Sequence, residues 1–280
     1  MNGIEVHVPS IRRIVVALDG SEHSLAALDA AAALAAQLQS ELEALFVEDD
    51  DLLRLAELPF ARVTSLVLLE SRPVDRERME RQLRLQAERV ERTLQRRAAA
   101  LGLHATFRHV RGRVCDEVLA AAAGADLLSL GKAGGTLLSA CGVGRTLQAA
   151  LGAGRPLLVL ENQPMGGEGF LAVYDGSAAD RRALALAAEL AEHTRGSLQV
   201  LALAPTPGEA EHLGGEVEAW LEKQGIASQI IYAWGDAAVA VLAAARGEHP
   251  ALLLMGLAGD EDERATQVLA QLRCPLLLVP

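Results

Sequence analysis

Two short runs carry the residues best suited to chemistry. Val16-Ala17-Leu18-Asp19-Gly20-Ser21 ends an apolar, β-rich stretch on a carboxylate, and Ala172-Val173-Tyr174-Asp175-Gly176-Ser177 does the same 156 residues later. A carboxylate directly after a strand and before Gly-Ser either caps the next helix or hydrogen-bonds a ribose hydroxyl or an adenine edge. The second feature is glycine-rich: Gly131-Lys132-Ala133-Gly134, then nine residues, then Gly144-Arg145-Thr146. Glycines let backbone approach phosphate oxygens, and a helix starting at Gly144 aims free N–H groups and its positive dipole end at an anion. Glycines at strand ends also serve turn geometry alone, so the position of this run after a strand facing Asp19 is what gives it weight.

Catalytic patterns are missing. Gly131-Lys132 suggests a P-loop, but Ala133 stands where a Ser or Thr is required, and there is no GxSxG elbow. His104 and His109, read on one strand five residues apart, point to opposite faces and do not share a metal. His23, two residues after Ser21, is near the first carboxylate but is read as an ordinary polar residue of a first helical turn. The acidic runs Glu48 to Asp51 and Asp260 to Glu263 lack the ligand spacing of a calcium loop and read as solvated turns. Cys115, Cys141 and Cys274 form no CxxC pair and read as reduced, partly buried small residues. These patterns predict no enzyme, leaving slow ATP hydrolysis as the one activity to test.

The elements that position these runs form an internal repeat. Ala125-Asp126-Leu127-Leu128-Ser129-Leu130-Gly131 matches Pro250 to Gly256 at an offset of 125, and Pro156-Leu157-Leu158-Val159-Leu160 matches Pro275 to Val279 at 119. The second copy is therefore 31 residues shorter before its glycine run and 6 shorter after it. The first difference removes much of Asp49 to Leu101, including the Arg/Glu-rich segment Asp75 to Leu101, whose Met79, Leu83, Val90, Leu94 and Leu101 make one apolar helical stripe. Strands are expected at Arg13 to Leu18, Glu41 to Glu48, His104 to Val110, Asp126 to Leu130 and Pro156 to Leu160. In the second copy they fall at Phe170 to Tyr174, Ser197 to Ala204, Ala227 to Trp234, Ala251 to Met255 and Leu276 to Val279. Helices are expected at about Ser24 to Gln39, Asp75 to Leu101, Cys115 to Gly124 and Gly144 to Leu151. Near-continuous apolar strands alternating with helices predict an α/β fold of two tandem five-stranded parallel-sheet sandwich domains, 1–164 and 165–280, joined at Gly166-Gly167-Glu168-Gly169. Apolar closing strands invite edge pairing, which predicts an intramolecular pseudo-two-fold dimer able to dimerise again.

Composition narrows the partners. The 280 residues include 51 Ala and 49 Leu but only 8 aromatics, too few for the stacking platforms of single-strand binders, and the net charge of −11 opposes a nucleic-acid backbone. Residues 1–162 carry a net −2 and 163–280 a net −9, so the first half is the one able to host an anion. No apolar run approaches a membrane span and the N-terminus lacks a signal pattern, which predicts a cytoplasmic protein with no membrane partner.

With these motifs in place, the chain resembles the universal stress protein family, specifically its tandem members, from about Ser10 to Pro280. The resemblance rests on the strand-Asp-Gly-Ser opening of both halves, the strand containing Asp126, the Gly131, Gly134 and Gly144 run, and the closing strands. It implies an adenine nucleotide alpha hydrolase-like fold, roles in stress survival and regulation, and binding of ATP, with Mg²⁺ accompanying it, as the cofactor. Carried over by position, Ala17, Leu18 and Asp19 meet adenine or ribose, and Val47 lines the adenine pocket. Leu130, Gly131, Lys132, Gly134, Gly144, Arg145 and Thr146 surround the phosphates. Two departures stand out: Arg145 and Leu147 replace hydroxyl residues of nucleotide-binding members, and Arg145 either pairs with phosphate or fills its pocket. In the second half, Leu269 replaces the last glycine and Asp260 to Glu263 brings negative charge, which implies a degenerate site. The resemblance therefore implies a regulatory nucleotide binder; the alternative is a scaffold or partner-binding protein that has lost nucleotide in both halves.

Overall fold

The computed structural model describes residues 11–57, 62–64, 71–73, 75–131, 154–160, 169–259 and 262–280. The apolar runs become strands β1 (Arg13–Leu18), β2 (Glu41–Asp49), β5 (Ala105–Gly112), β6 (Leu127–Gly131) and β7 (Leu157–Leu160) in the first half. In the second they become β8 (Phe170–Tyr174), β9 (Leu198–Ala204), β10 (Ser228–Trp234), β11 (Leu252–Gly256) and β12 (Leu276–Val279). They form one ten-stranded sheet in the order β10-β9-β8-β11-β12-β7-β6-β1-β2-β5. Each half repeats the same winding, with its first strand between its second and fourth, and every pair is parallel except one. That exception joins the halves: β12 runs antiparallel to β7, with Leu277 opposite Leu158 at the centre. The closing strands thus pair edge to edge, as their apolar composition predicts.

Helices cover both faces because these strands are apolar on both. On one face lie α1 (Glu22–Leu38), α3 (Arg76–Leu101), α5 (Ala178–Thr194) and α6 (Pro207–Gln224). On the other lie α4 (Val114–Ala123), α7 (Ala237–Glu248) and α8 (Glu263–Gln271). Both cores run unbroken through the junction: Leu158 and Leu277 belong to the first, Leu157, Val159, Leu276 and Leu278 to the second. Polar N-caps set the helix starts, with side chains of Ser21, Ser177, Asp236 and Asp262 each accepting an N–H three residues on. Among the described residues no helix is long and apolar enough to cross a membrane.

Several expectations are corrected. The acidic run after β2 is no solvated turn: Glu48 and Asp49 are buried at the end of the strand, and Asp49 caps a short helix, α2 (Asp50–Ala56). Arginines supplied by β5 and the residue after it neutralise the run, Arg111 at 3.1 Å from Asp50 and Arg113 at 3.6 Å from Asp51. An antiparallel hairpin of β3 (Arg62–Thr64) and β4 (Ser71–Pro73) also precedes α3. The α3 stripe is shifted: Ala87, Val90, Leu94 and Ala98 are buried, whereas Leu101 at the last turn is 46% exposed. His104 lies outside β5, and His109 hydrogen-bonds Glu48 at 3.0 Å. Cys115 is disulfide-bonded rather than reduced, while Cys274 is a half-buried thiol outside any disulfide. The helix expected at Gly144 to Leu151 and the boundary at 164/165 lie outside the described residues.

Candidate functional site

In a parallel sheet, a crevice opens at the carboxyl ends of the strands where the winding reverses. Here that happens twice, between β1 and β6 and between β8 and β11. Asp19 and Gly131 flank the first crevice, Asp175 and Gly256 the second, so Asp19 faces the first residue of the glycine run.

Both crevices begin with the same local turn. Asp19 Oδ1 accepts the Ser21 N–H at 2.9 Å and Asp175 Oδ1 accepts the Ser177 N–H at 2.8 Å. Ser21 and Ser177 then cap α1 and α5. The capping role of the Asp-Gly-Ser run therefore operates in both halves, and it uses only one oxygen of each carboxylate. The glycines across the crevice have a packing reason as well. A Cβ at Gly131 would lie 3.0 Å from the His23 carbonyl, and one at Gly256 would lie 2.3 Å from the Asp180 nitrogen. Each glycine lets the first turn of a helix press against the end of a strand. For His23 it is the backbone that packs against Gly131.

Beyond that shared frame the two crevices differ. Asp180, the counterpart of Ser24, is fully buried in the first turn of α5. Its carboxylate accepts the Gly256 N–H at 2.6 Å and the Asp175 N–H at 3.1 Å. Arg264, from the first turn of α8, reaches into the same space. Its Nη1 lies 3.1 Å from Asp175 Oδ2 and 3.2 Å from Asp180 Oδ2, while Nη2 donates to the Gly256 carbonyl at 3.0 Å. Only 13% of the Arg264 side chain is exposed. The guanidinium thus ties together the ends of β8 and β11 and the start of α5.

Electrostatics follow from this packing. Burial pushes the Asp180 carboxyl up, to about 7, against the pull of Arg264. Burial also opposes ionisation of Asp175, but hydrogen bonds from Ser177 and Asp180 and the Arg264 charge outweigh it and hold that carboxyl below its usual value. Two carboxyls share one cation, and ionisation is opposed at the more buried of them. Burial likewise raises the Tyr174 hydroxyl, which is enclosed at the end of β8.

The first crevice has no such occupant among the described residues. Asp19 is half-buried, and no described cation pairs with it. Its backbone is braced from α3, whose counterpart in the second half, α6, is eight residues shorter: Gln86 Nε2 donates to the Asp19 carbonyl. Ala17, Leu18, Val47 and Leu130 are buried at the ends of their strands, with Val47 opposite Val110 of β5. Ala17, Val47 and Leu130 share the α4 face, whereas Leu18 belongs to the α1 face. Lys132, Gly134, Gly144, Arg145 and Thr146 lie outside the described residues.

A family model described as the universal stress protein family matches residues 10–153, just over half of the chain. The chain belongs to the universal stress protein family. The fold of this universal stress protein agrees along nearly its full length with that of a universal stress protein from Archaeoglobus fulgidus, with a TM-score of 0.69, 17% identity, and coverage of 95% of this chain and 97% of that one. A putative universal stress protein from Pseudomonas aeruginosa gives 0.59 at 17% identity, covering 96% and 93%. The cytoplasmic domain of a prokaryotic cation chloride cotransporter shares the architecture too, at 0.55 with 10% identity, covering 96% and 94%. No curated protein sequence matches.

Sequence reasoning missed Asp180 and Arg264. A signal for Arg264 was present: it stands eleven residues before Pro275, as Arg145 stands eleven before Pro156. The acidic neighbours of Arg264 suggested repulsion of an anion, and the second crevice is closed more directly, by a resident cation.

Proposed function

We propose that this universal stress protein is a non-catalytic regulatory binder made of two units, 1–164 and 165–280, whose first unit takes an adenine nucleotide while the second has closed its equivalent crevice. The observation that carries this reading is the asymmetry between the two aspartates. Asp175 is paired with Arg264, whereas among the described residues the second oxygen of Asp19 meets no donor and no cation. A carboxylate of that kind accepts ribose hydroxyls or an adenine amino group, and buried Val47 beside it offers an apolar wall to a base. The residues present therefore fit the nucleoside end of the ligand. Lys132, Gly134, Gly144 and Thr146 would hold the phosphates, and the charge of the first half, −2 against −9, favours an anion there. Bound ATP would contribute the phosphates as a charge signal, with no hydrolysis required.

The test is calorimetric titration with ATP and Mg²⁺. Heat saturating near one site per chain in the native protein, and lost in Asp19→Ala, is the expected result. The scaffold reading is favoured by one observation: Arg145 and Arg264 hold the same place relative to their closing strands. If Arg145 closes the first crevice as Arg264 closes the second, the native chain gives no heat and Arg145→Ser restores it.

A further inference from the structure

Among the described residues the sheet ends on two unpaired edges, β5 and β10, and they differ in kind. On β5, Arg108 lies 3.8 Å from Glu117, His109 hydrogen-bonds Glu48, and Arg111 bridges Asp50 and Glu80. Charges held in this way blunt an edge against further pairing. β10 reads Ser228-Gln229-Ile230-Ile231-Tyr232-Ala233-Trp234, with no charge and no proline. It pairs parallel and in register with β9 over all seven residues. The Gly235 N–H bonds the Ala204 carbonyl, so strand alternation turns the N–H and C=O groups of Ile230, Tyr232 and Trp234 away from β9.

Apolar side chains accompany that free backbone. Tyr232 is 44% exposed and Trp234 56%, and Val239 in the next helical turn is 64% exposed. Tyr232 is held in place, because its ring lies over Gly214 of α6, where a Cβ would come within 2.4 Å of it. The helix that roofs this edge, α6, is strongly acidic, with five exposed glutamates against one lysine. A second copy would bring two halves of net charge −9 together, which opposes self-pairing.

We propose that β10 is a docking edge for an extended segment of a partner protein in which apolar and basic residues alternate, joining the sheet as an eleventh strand. Main-chain hydrogen bonds to Ile230, Tyr232 and Trp234 give the segment its register. Its basic side chains lie over Tyr232 and Trp234 on the acidic α6 face, their aliphatic stems covering the rings, and its apolar ones lie on the opposite face beside Ile231, Ala233 and Val239.

The probe is a blocked peptide of alternating Lys and Val, set against its Glu/Val counterpart, at physiological salt. The expected result is saturable binding of the Lys/Val peptide alone, with slowed amide exchange at Ile230, Tyr232 and Trp234. Tyr232→Pro removes an outward donor without removing a bond to β9, and should weaken binding about tenfold or more. Trp234→Lys, an exposed position where folding is not at stake, should weaken it as well while the circular dichroism spectrum is unchanged. Equal binding of both peptides, unchanged affinity in Trp234→Lys, or protection mapping elsewhere would overturn the proposal. So would a peptide-free dimer protecting the same amides, which would assign the edge to a second copy.

Discussion

Replacing Arg264 by alanine gives the sharpest energetic test of the closed second crevice. The change removes a guanidinium that is 13% exposed and bonds Asp175, Asp180 and the Gly256 carbonyl. It leaves two carboxyls facing each other, one of them fully buried. Removing one side of a buried ion pair costs about 3–5 kcal/mol, most of it from stranding the remaining charge. The cost must depend on pH. A carboxyl whose folded pKa is raised gives its full stability below the unfolded value and loses it as pH rises through the folded one. For Asp180 that window runs from 3.8 to about 7. A displacement of that size corresponds to roughly 4 kcal/mol at most, and less after local relaxation. At pH 5 the variant keeps the proton on Asp180 and avoids part of the penalty, whereas at pH 8 the carboxyl must ionise without a partner. Urea unfolding at the two values should give a loss of about 3–5 kcal/mol at pH 8 and at least ~1 kcal/mol less at pH 5. A loss under ~1 kcal/mol at pH 8, or the same loss at both, would refute the reasoning. Asp180→Asn should flatten the pH dependence of the native protein between about 4 and 7.

Other expectations follow from single contacts. Gly131→Ala places a Cβ 3.0 Å from the His23 backbone and should cost about 1–3 kcal/mol by thermal unfolding, while Gly256→Ala, at 2.3 Å from Asp180, should sit at the top of that range or beyond. Gln86→Ala removes the brace from α3 to the Asp19 carbonyl, so it should cost about 1 kcal/mol and speed amide exchange at Gly20 and Ser21 without reaching the second crevice. Glu80 is held below its ordinary value by hydrogen bonds from Arg111 first and Arg76 second. Arg111→Ala should raise its titration midpoint by NMR and remove the destabilisation that acid causes as Glu80 is protonated in the native protein.

How much of this was legible in the sequence depends on the range of the interaction concerned. β1, β8 and β12 start and end where the apolar runs do, because a strand buried on both faces admits few polar residues. Repeat offsets placed the addition to the first half between Asp49 and Leu101, but what is added is α2, the β3–β4 hairpin and eight more helical residues, since α3 has its counterpart in α6. Nor did the offsets show that α3 braces the Asp19 turn, which needs Gln86 to meet a residue 67 positions away. The acidic run at Glu48 looked solvated because its arginines are 61 and more positions away, and only the register of β2 on β5 makes them neighbours. Glu43 was missed for the same reason: it is buried in mid-strand and is carried by Arg13, with Arg108 at 3.9 Å. Asp180 in a first helical turn looks like any dipole-complementing acid, since nothing local reveals that a strand end lies against it. Arg264 could have been found by carrying the repeat past the closing proline back toward the glycine run. The matching arginine at position 145 is the residue on which the proposed function turns.

The most direct test of the central claim, one open crevice and one closed, is an amide exchange map with and without ATP and Mg²⁺. The account predicts slowed exchange over Asp19 to Ser24 and at Gly131, with no change over Asp175 to Asp180 or at Gly256. Equal slowing in both halves, or slowing only in the second, would contradict it.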